Sequence, residues 1–416
     1  MAAIMASNNH RWFVIVMLWF VCFLNYADRQ AIFALFPLLR ADLHLSDLQL
    51  ALVGSSFMWM YAIVGLLAGW LGDWLSRKGL ISAGLLLWIF VAAATVVARS
   101  YKQLVLLRAL GGISEACFFP AAMSLISAYH GPQTRSRAMS ILQSAVYTGT
   151  IAGGTIASIV GAHFGWRSNF MLFGALGLLL FFVLLIFLKE PDRGVEERAS
   201  AEAKNESARI SLPVLLADIF TEPLALRLMA VFIGANFVAM IFMVWLPSFL
   251  YRKFHMSLAM AGVSSTLYLQ LASVGGVLLG GVMADMLARR NRGGRMMTQA
   301  CGLLLGAPFL FLTGTAMSVG VLIAGMIGFG FCKGIYDSNI WASLHDVVRP
   351  ECRATVVGIT NSLGWLGGGI GPLILAAASE RYGQSACLSA TSVVYLLIAC
   401  LLLWNARLAN RRRVAG

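Results

Sequence analysis

Long apolar stretches recur from Trp12 to Trp404, and many reach the roughly 20 residues needed to cross a bilayer core of about 30 Å. This feature leaves few folds open. A segment in lipid finds no water for its N–H and C=O groups, so each stretch must close its own hydrogen bonds as a helix. With 59% hydrophobic and 12% charged residues, the chain could not hide its apolar surface in a soluble core.

The stretches predict twelve spans near 12–39, 48–73, 79–97, 102–129, 137–162, 168–188, 223–252, 258–288, 296–316, 319–347, 352–378 and 384–408. The expected fold class is an all-α membrane protein of twelve transmembrane helices in two pseudo-symmetric six-helix bundles. The N-terminal bundle is placed at 1–190 and the C-terminal bundle at 223–416. The charged, Ala/Ser-rich stretch 191–222 between them reads as a cytoplasmic linker. Its end, SLPVLLADIF at 211–220, reads either as a surface helix or as the frayed start of the seventh span. The N-terminus lacks a cleavable leader pattern, so the first span is expected to be retained.

A net charge of +13 invites a nucleic-acid reading, but the distribution of the charge argues against it. With both termini placed inside, twenty basic residues fall on the cytoplasmic side and seven outside. This positive-inside bias explains the charge without nucleic acid. The seven cysteines form no C-x-x-C pair and the six histidines fall near span ends or in loops. No metal site, cofactor or clustered nucleophile and base is expected, which argues against an enzyme. The expected surroundings are a bilayer, here a bacterial inner membrane, and a small solute.

An internal repeat bisects the chain. Gly69-x-x-x-Asp73-x-x-x-Arg77-Lys78 matches Gly281-x-x-x-Asp285-x-x-x-Arg289-Arg290 at an offset of 212 residues. Arg137-Ala138 matches Arg353-Ala354 at an offset of 216. Repeats of this kind mark transporter folds, whose sites lie between the repeats near the midplane. Asp73 and Asp285, at span ends, can accept charge-assisted bonds from arginines or face a helix N-terminus. The reading is a conformational latch built from Gly69, Asp73, Arg77, Gly281, Asp285 and Arg289. The other reading is a solvated loop whose basic residues only set topology.

The acids deep within the spans are Asp28, Glu115 and Asp337, and the bases are Arg29, Arg108 and Lys333. Charge at such depth is costly and marks ion or substrate paths. At 1.5 Å per residue, Asp28, Glu115 and Lys333 lie roughly 17, 20 and 21 Å below the outer ends of their spans. Asp28 beside Arg29, and Glu115 below Arg108, are read as proton carriers. The alternative is a static ion pair holding spans 1 and 4 together. Arg29, with its planar fork, is the candidate clamp for a carboxylate. Lys333 either adds a point charge or pairs with Asp337, four residues on. Tyr61, Tyr147 and Asn361 are the candidate substrate contacts, drawn from a wider polar set that includes Asn25, Tyr26, Asn236, Tyr336 and Asn339. The glycine runs GTIAGG (149–154) and GWLGGGIGP (364–372) suit close helix packing; no strand precedes them, so they are not phosphate loops.

The paired G-x-x-x-D-x-x-x-R-[RK] loops resemble the major facilitator superfamily. Within it, LNYADRQAI (24–32), RALGGISEACFFPAA (108–122) and GITNSLGWLGGGIGP (358–372) resemble the anion:cation symporter family. That resemblance implies a monomeric, proton-coupled carrier of a sugar acid or aromatic acid. It also implies proton roles for Asp28 and Glu115 and a substrate role for Arg29. FCKGIYDSNIW (331–341) departs from the pattern expected of sugar-acid carriers. NYADR and GGISEA are also similar to spinster-type carriers, which implies the alternative of an exporter of a lipid-like or amphipathic molecule.

Overall fold

The computed structural model describes residues 8–74, 76–130, 132–188, 218–349 and 352–411. The first half holds α1 (Asn8–Ala34), α2 (Phe36–Leu43), α3 (Asp47–Trp74), α4 (Arg77–Val96), α5 (Tyr101–Ala116), α6 (Phe118–Tyr129), α7 (Pro132–Phe164) and α8 (Trp166–Phe187). The second holds α9 (Pro223–Lys253), α10 (Leu258–Arg290), α11 (Gly294–Thr315), α12 (Val319–Asp337), α13 (Ile340–Val347), α14 (Arg353–Tyr382) and α15 (Gln384–Arg411). They make twelve stretches long and apolar enough to cross a membrane. The expected linker, 191–222, lies outside the described residues up to 217.

Three expected spans are divided. The first breaks at Leu35 and the fourth at Cys117. Pro37 and Pro120 explain these breaks: proline lacks an N–H and its ring crowds the carbonyl four residues back. The tenth breaks at Ser338–Asn339 without a proline, and there the Asn339 amide donates to the Gly280 carbonyl of α10 at 3.1 Å.

Two compact units divide the described residues, one holding 8–188 with 257–263 and the other 218–256 with 264–411. Within the first, α1 packs on α7, α3 on α5 and α4 on α8. Within the second, α9 packs on α14, and α11 on both α12 and α15. Small residues set these approaches, as expected where helices gain by close contact rather than by leaving water. A Cβ on Gly149 would meet the Phe23 carbonyl at 2.6 Å, and one on Gly153 would strike the backbone of Ala27. The glycines of α14 do the same against α9, where Gly371 faces the Phe237 carbonyl at 2.7 Å.

The first unit is tied at both ends by polar contacts. At one end, Asp42 accepts from Trp166 Nε1 at 2.9 Å and from Arg167 Nη1 at 2.7 Å. These bonds hold its carboxyl below the usual range. At the end carrying the basic loops, buried His130 follows α6. Its Nδ1 meets Thr134 Oγ1 at 3.2 Å and its Nε2 meets the Arg11 carbonyl of α1 at 3.3 Å. Burial lowers the readiness of this imidazole to take a proton. The unfolded chain binds that proton more readily, so stability is full above the ordinary histidine range and falls as pH drops through it.

Two outcomes follow for thermal unfolding of the purified protein. Gly153→Val should lower the melting temperature through about 1–3 kcal/mol of overpacking. Gly65→Val, at a position with nothing within 4 Å of the added Cβ, should not. Acidification from about pH 7 to about pH 5.5 should lower the melting temperature, and His130→Gln should blunt that loss.

Candidate functional site

Adjacent residues on a helix point about 100° apart, whereas residues seven apart share a face two turns on. Asp28 and Arg29 of α1 therefore diverge, while Arg108 and Glu115 of α5 line one face. The pairing that results is crossed. Arg29 Nη2 donates to Glu115 Oε2 at 2.8 Å, and Arg108 Nη1 donates to Asp28 Oδ2 at 3.0 Å. Each pair uses an arginine as its long arm, so the two helices are bridged without packing their backbones. Among the described residues these four are the only Asp, Glu, Lys or Arg side chains in the buried class, each at 3–4% exposure. A charge taken out of water costs several kcal/mol unless paired, so each holds its partner in place. The proton-carrier reading grouped each acid with the base nearest in its own helix, and its alternative was an ion pair holding spans 1 and 4 together; the structure pairs all four between α1 and α5.

Aromatic rings close around the cations. The Arg29 guanidinium lies 4.5 Å from the Tyr26 ring centre and 4.8 Å from those of Phe57 and Tyr61. The Arg108 guanidinium lies 4.7 Å from the same Phe57 ring. Phe57 and Tyr61, one turn apart on α3, have near-parallel rings. Gly112 lets α3 lie directly against α5 here: a Cβ on it would strike the Phe57 carbonyl and approach the Tyr61 nitrogen at 3.0 Å, while one on Gly111 would sit 3.7 Å from the Phe57 ring. Glu115 Oε1, Arg108 Nε and Arg108 Nη2 have no hydrogen-bond partner among the described residues. The sequence reading missed Phe57, although its four-residue spacing from Tyr61 puts both on one face.

The other candidates are dispersed. Tyr147, on α7, is half-buried, as are Tyr61 and, in the second unit, Asn361 on α14. Lys333 bonds to Asp337 along the face of α12, with side chains 22% and 32% exposed. Asn236 spends its amide on the Phe232 carbonyl of its own helix. The hydroxyls of Tyr336 and Tyr395 are buried with no hydrogen-bond partner among the described residues.

Of the expected latch, the surroundings of Gly69 and the side chain of Asp73 lie outside the described residues. Arg77 opens α4 behind the Ser76 cap. In the second copy, Gly281 faces open space and Asp285 is 70% exposed. Asp285 sits 3.8 Å from Arg295, which also binds both oxygens of Asp346 at 2.7 Å. Arg289 is exposed and lines, with Arg292 and Arg295, a cavity of about 810 Å³. The arginine that engages Asp285 is thus Arg295, beyond the repeated motif.

Removing one member of a buried pair strands its partner. Asp28→Asn or Arg108→Gln alone should destabilise the first unit by about 3–5 kcal/mol. The double variant should cost less than the sum, with a coupling of about 0.5–3 kcal/mol. Equilibrium unfolding of the four proteins of this cycle, in mixed micelles, measures that coupling.

The sequence pattern of the Major Facilitator Superfamily matches residues 18–372. The chain is 27% identical over 400 residues to the "Probable galactarate/D-glucarate transporter GudP" of Escherichia coli (strain K12), covering 88% of this chain and 87% of that protein. It is 28% identical over 407 residues to "Protein spinster homolog 1" of Rattus norvegicus, covering 91% and 75%. Among solved structures, a bacterial homolog of the human lysosomal transporter Spinster, inward-facing and unoccupied, superposes with a TM-score of 0.84 at 21% identity, covering 97% of this chain and 98% of that one. The D-xylose-proton symporter superposes with a TM-score of 0.76 at 14% identity, covering 94% and 97%. Twelve spans, a repeated loop motif and a match over most of its length lead to one conclusion: the chain belongs to the Major Facilitator Superfamily and is a secondary transporter, not an enzyme.

Proposed function

We propose that this transporter carries a small organic anion of the sugar-acid type together with protons, by alternating access. The observation that carries the reading is the crossed set of four charges, two acids and two bases, buried between α1 and α5 of the first unit. Relatives named for galactarate, glucarate and L-galactonate support the substrate class.

Charge balance supplies the coupling. With both acids ionised, the four charges cancel. A proton on Glu115 removes the counter-charge of Arg29 and leaves a buried cation, a state that costs several kcal/mol. A substrate carboxylate on the Arg29 fork restores balance. The anion alone, entering while Glu115 is ionised, would leave an uncompensated negative charge. Empty and doubly loaded forms are therefore the low-energy ones, and only these suit a conformational change that closes the site to water. Glu115 Oε1, with no hydrogen-bond partner among the described residues, is the atom assigned to the proton. Asp28, held by Arg108, is assigned the second proton position.

Tyr61 and Tyr147 are assigned to substrate contact in the first unit, and Lys333 and Asn361 in the second. Breaking its bond to Asp337 would free Lys333 for an anion. The loops at Gly69, Asp73 and Arg77, and at Gly281, Asp285 and Arg289, are assigned to a latch that forms in one state and opens in the other. The carrier is assigned to a bacterial inner membrane as a monomer of two six-helix bundles, 1–190 and 223–416, joined by the linker 191–222, with both termini inside. Export of an amphipathic molecule is the second reading, favoured by the 28% identity to a spinster homolog.

Proteoliposomes given labelled D-glucarate, L-galactonate and an aromatic acid, with and without an inward proton gradient, test the proposal. Gradient-driven accumulation of one acid is the expected result. Glu115→Gln should abolish that accumulation while exchange of internal for external substrate persists. Accumulation that survives in Glu115→Gln would remove Glu115 from the proton path. Efflux of a labelled lysophospholipid, with no acid taken up, would favour the second reading.

A further inference from the structure

We propose that Phe57 is a positioning residue that couples the two ion pairs, its ring serving as the shared π-partner of the Arg29 and Arg108 guanidiniums. The inference rests on the proton-coupled reading above for its role in transport, but not for its geometry.

Three observations carry it. First, the ring belongs to α3, a helix that contributes no charge to either pair, yet its centre lies 4.8 Å from one guanidinium and 4.7 Å from the other. Two like charges approach one ring in a bundle where neither can be shielded by water. The negative face of an aromatic ring attracts a cation, more strongly when both are desolvated. An aliphatic side chain of similar volume would fill the space but would add no attraction to either cation beyond that of the paired carboxylates.

Second, Arg108 is short of hydrogen bonds. Only Nη1 is bonded, to Asp28, while Nε and Nη2 have no partner among the described residues. The π face of Phe57 is a favourable contact for this buried cation beside its carboxylate partner and the nearby Glu115 charge. Third, the ring is not free to move away. Phe57 is 1% exposed, and the close approach of α3 to α5 at Gly112 fixes its backbone.

The consequence is a path between the pairs. When Glu115 takes a proton and Arg29 turns toward a substrate carboxylate, Arg29 leaves the Phe57 ring or shifts across it. The ring then interacts with Arg108 alone, which changes how firmly Arg108 holds Asp28. The state of one pair is thereby felt by the other through the ring, in addition to the charge interaction of Glu115 with Asp28 and Arg108.

Three replacements separate the ring's electrostatics from its volume: Phe57→Leu, Phe57→Tyr, and a trifluorinated phenylalanine at 57, which keeps the shape and weakens the π face. Gradient-driven uptake of labelled D-glucarate is measured across pH, with melting temperature alongside. Phe57→Leu and the fluorinated residue should lower uptake about tenfold and move its pH midpoint by at least about half a unit, while Phe57→Tyr stays near wild type. An unchanged pH midpoint in the fluorinated protein overturns the proposal, as does a drop in melting temperature that alone accounts for the loss in Phe57→Leu.

A substrate-free arm keeps this distinct from the function itself. The Glu115 carboxyl is titrated by infrared difference spectroscopy of purified protein, its band identified by its loss in Glu115→Gln. If wild type takes up no D-glucarate but this titration still shifts in the fluorinated protein, the sugar-acid assignment fails for that substrate and the coupling through Phe57 stands. If the titration is identical in both proteins, the coupling fails.

Discussion

Two arginine–carboxylate pairs cross between α1 and α5, and the first unit is organised around the cost of leaving any of their four charges alone. Buried ion pairs are not strong stabilisers compared with apolar packing. Their importance is that they cannot be broken one member at a time. α1 is packed on α7 through Gly149 and Gly153, and α3 on α5 through Gly112. The pairs then bridge these two packed couples with side chains alone. A link made of long arms permits rearrangement that a packed backbone contact would resist.

The second unit has no such bridge among its described residues. Its intramembrane pair, Lys333 and Asp337, lies along one helix and is partly exposed. Such a pair contributes only a few tenths of a kcal/mol to its helix. The two halves therefore repeat one sequence motif and a similar order of spans, but hold their charges differently. Four buried charges are paired between helices in the first, and a partly exposed Lys–Asp pair lies along one helix of the second.

The twelve spans were legible because membrane helices are specified by length and apolarity, both one-dimensional properties. Family membership was legible in Gly69–Lys78 and Gly281–Arg290, since a repeat needs no folding to be seen. The charged residues of the site were legible for a related reason: Asp28, Arg29, Arg108 and Glu115 stand out in spans that otherwise exclude charge. The split at Cys117 was within reach too, given Pro120.

Who pairs with whom was not legible. Sequence neighbours such as Asp28 and Arg29 point about 100° apart, so proximity along the chain misleads. That Arg295, beyond the repeated motif, lies nearest Asp285 follows from the fold and from no spacing in the sequence. Phe57 carried only its four-residue spacing from Tyr61 as a signal, because a phenylalanine in a membrane span is ordinary by composition. Its position between two cations exists only once α3, α5 and α1 are assembled. Sequence alone determined that this chain crosses the membrane twelve times and carries a few costly charges inside it. Tertiary structure decided which of those charges neutralise one another, because electrostatic energy depends on distance through space, and folding sets that distance.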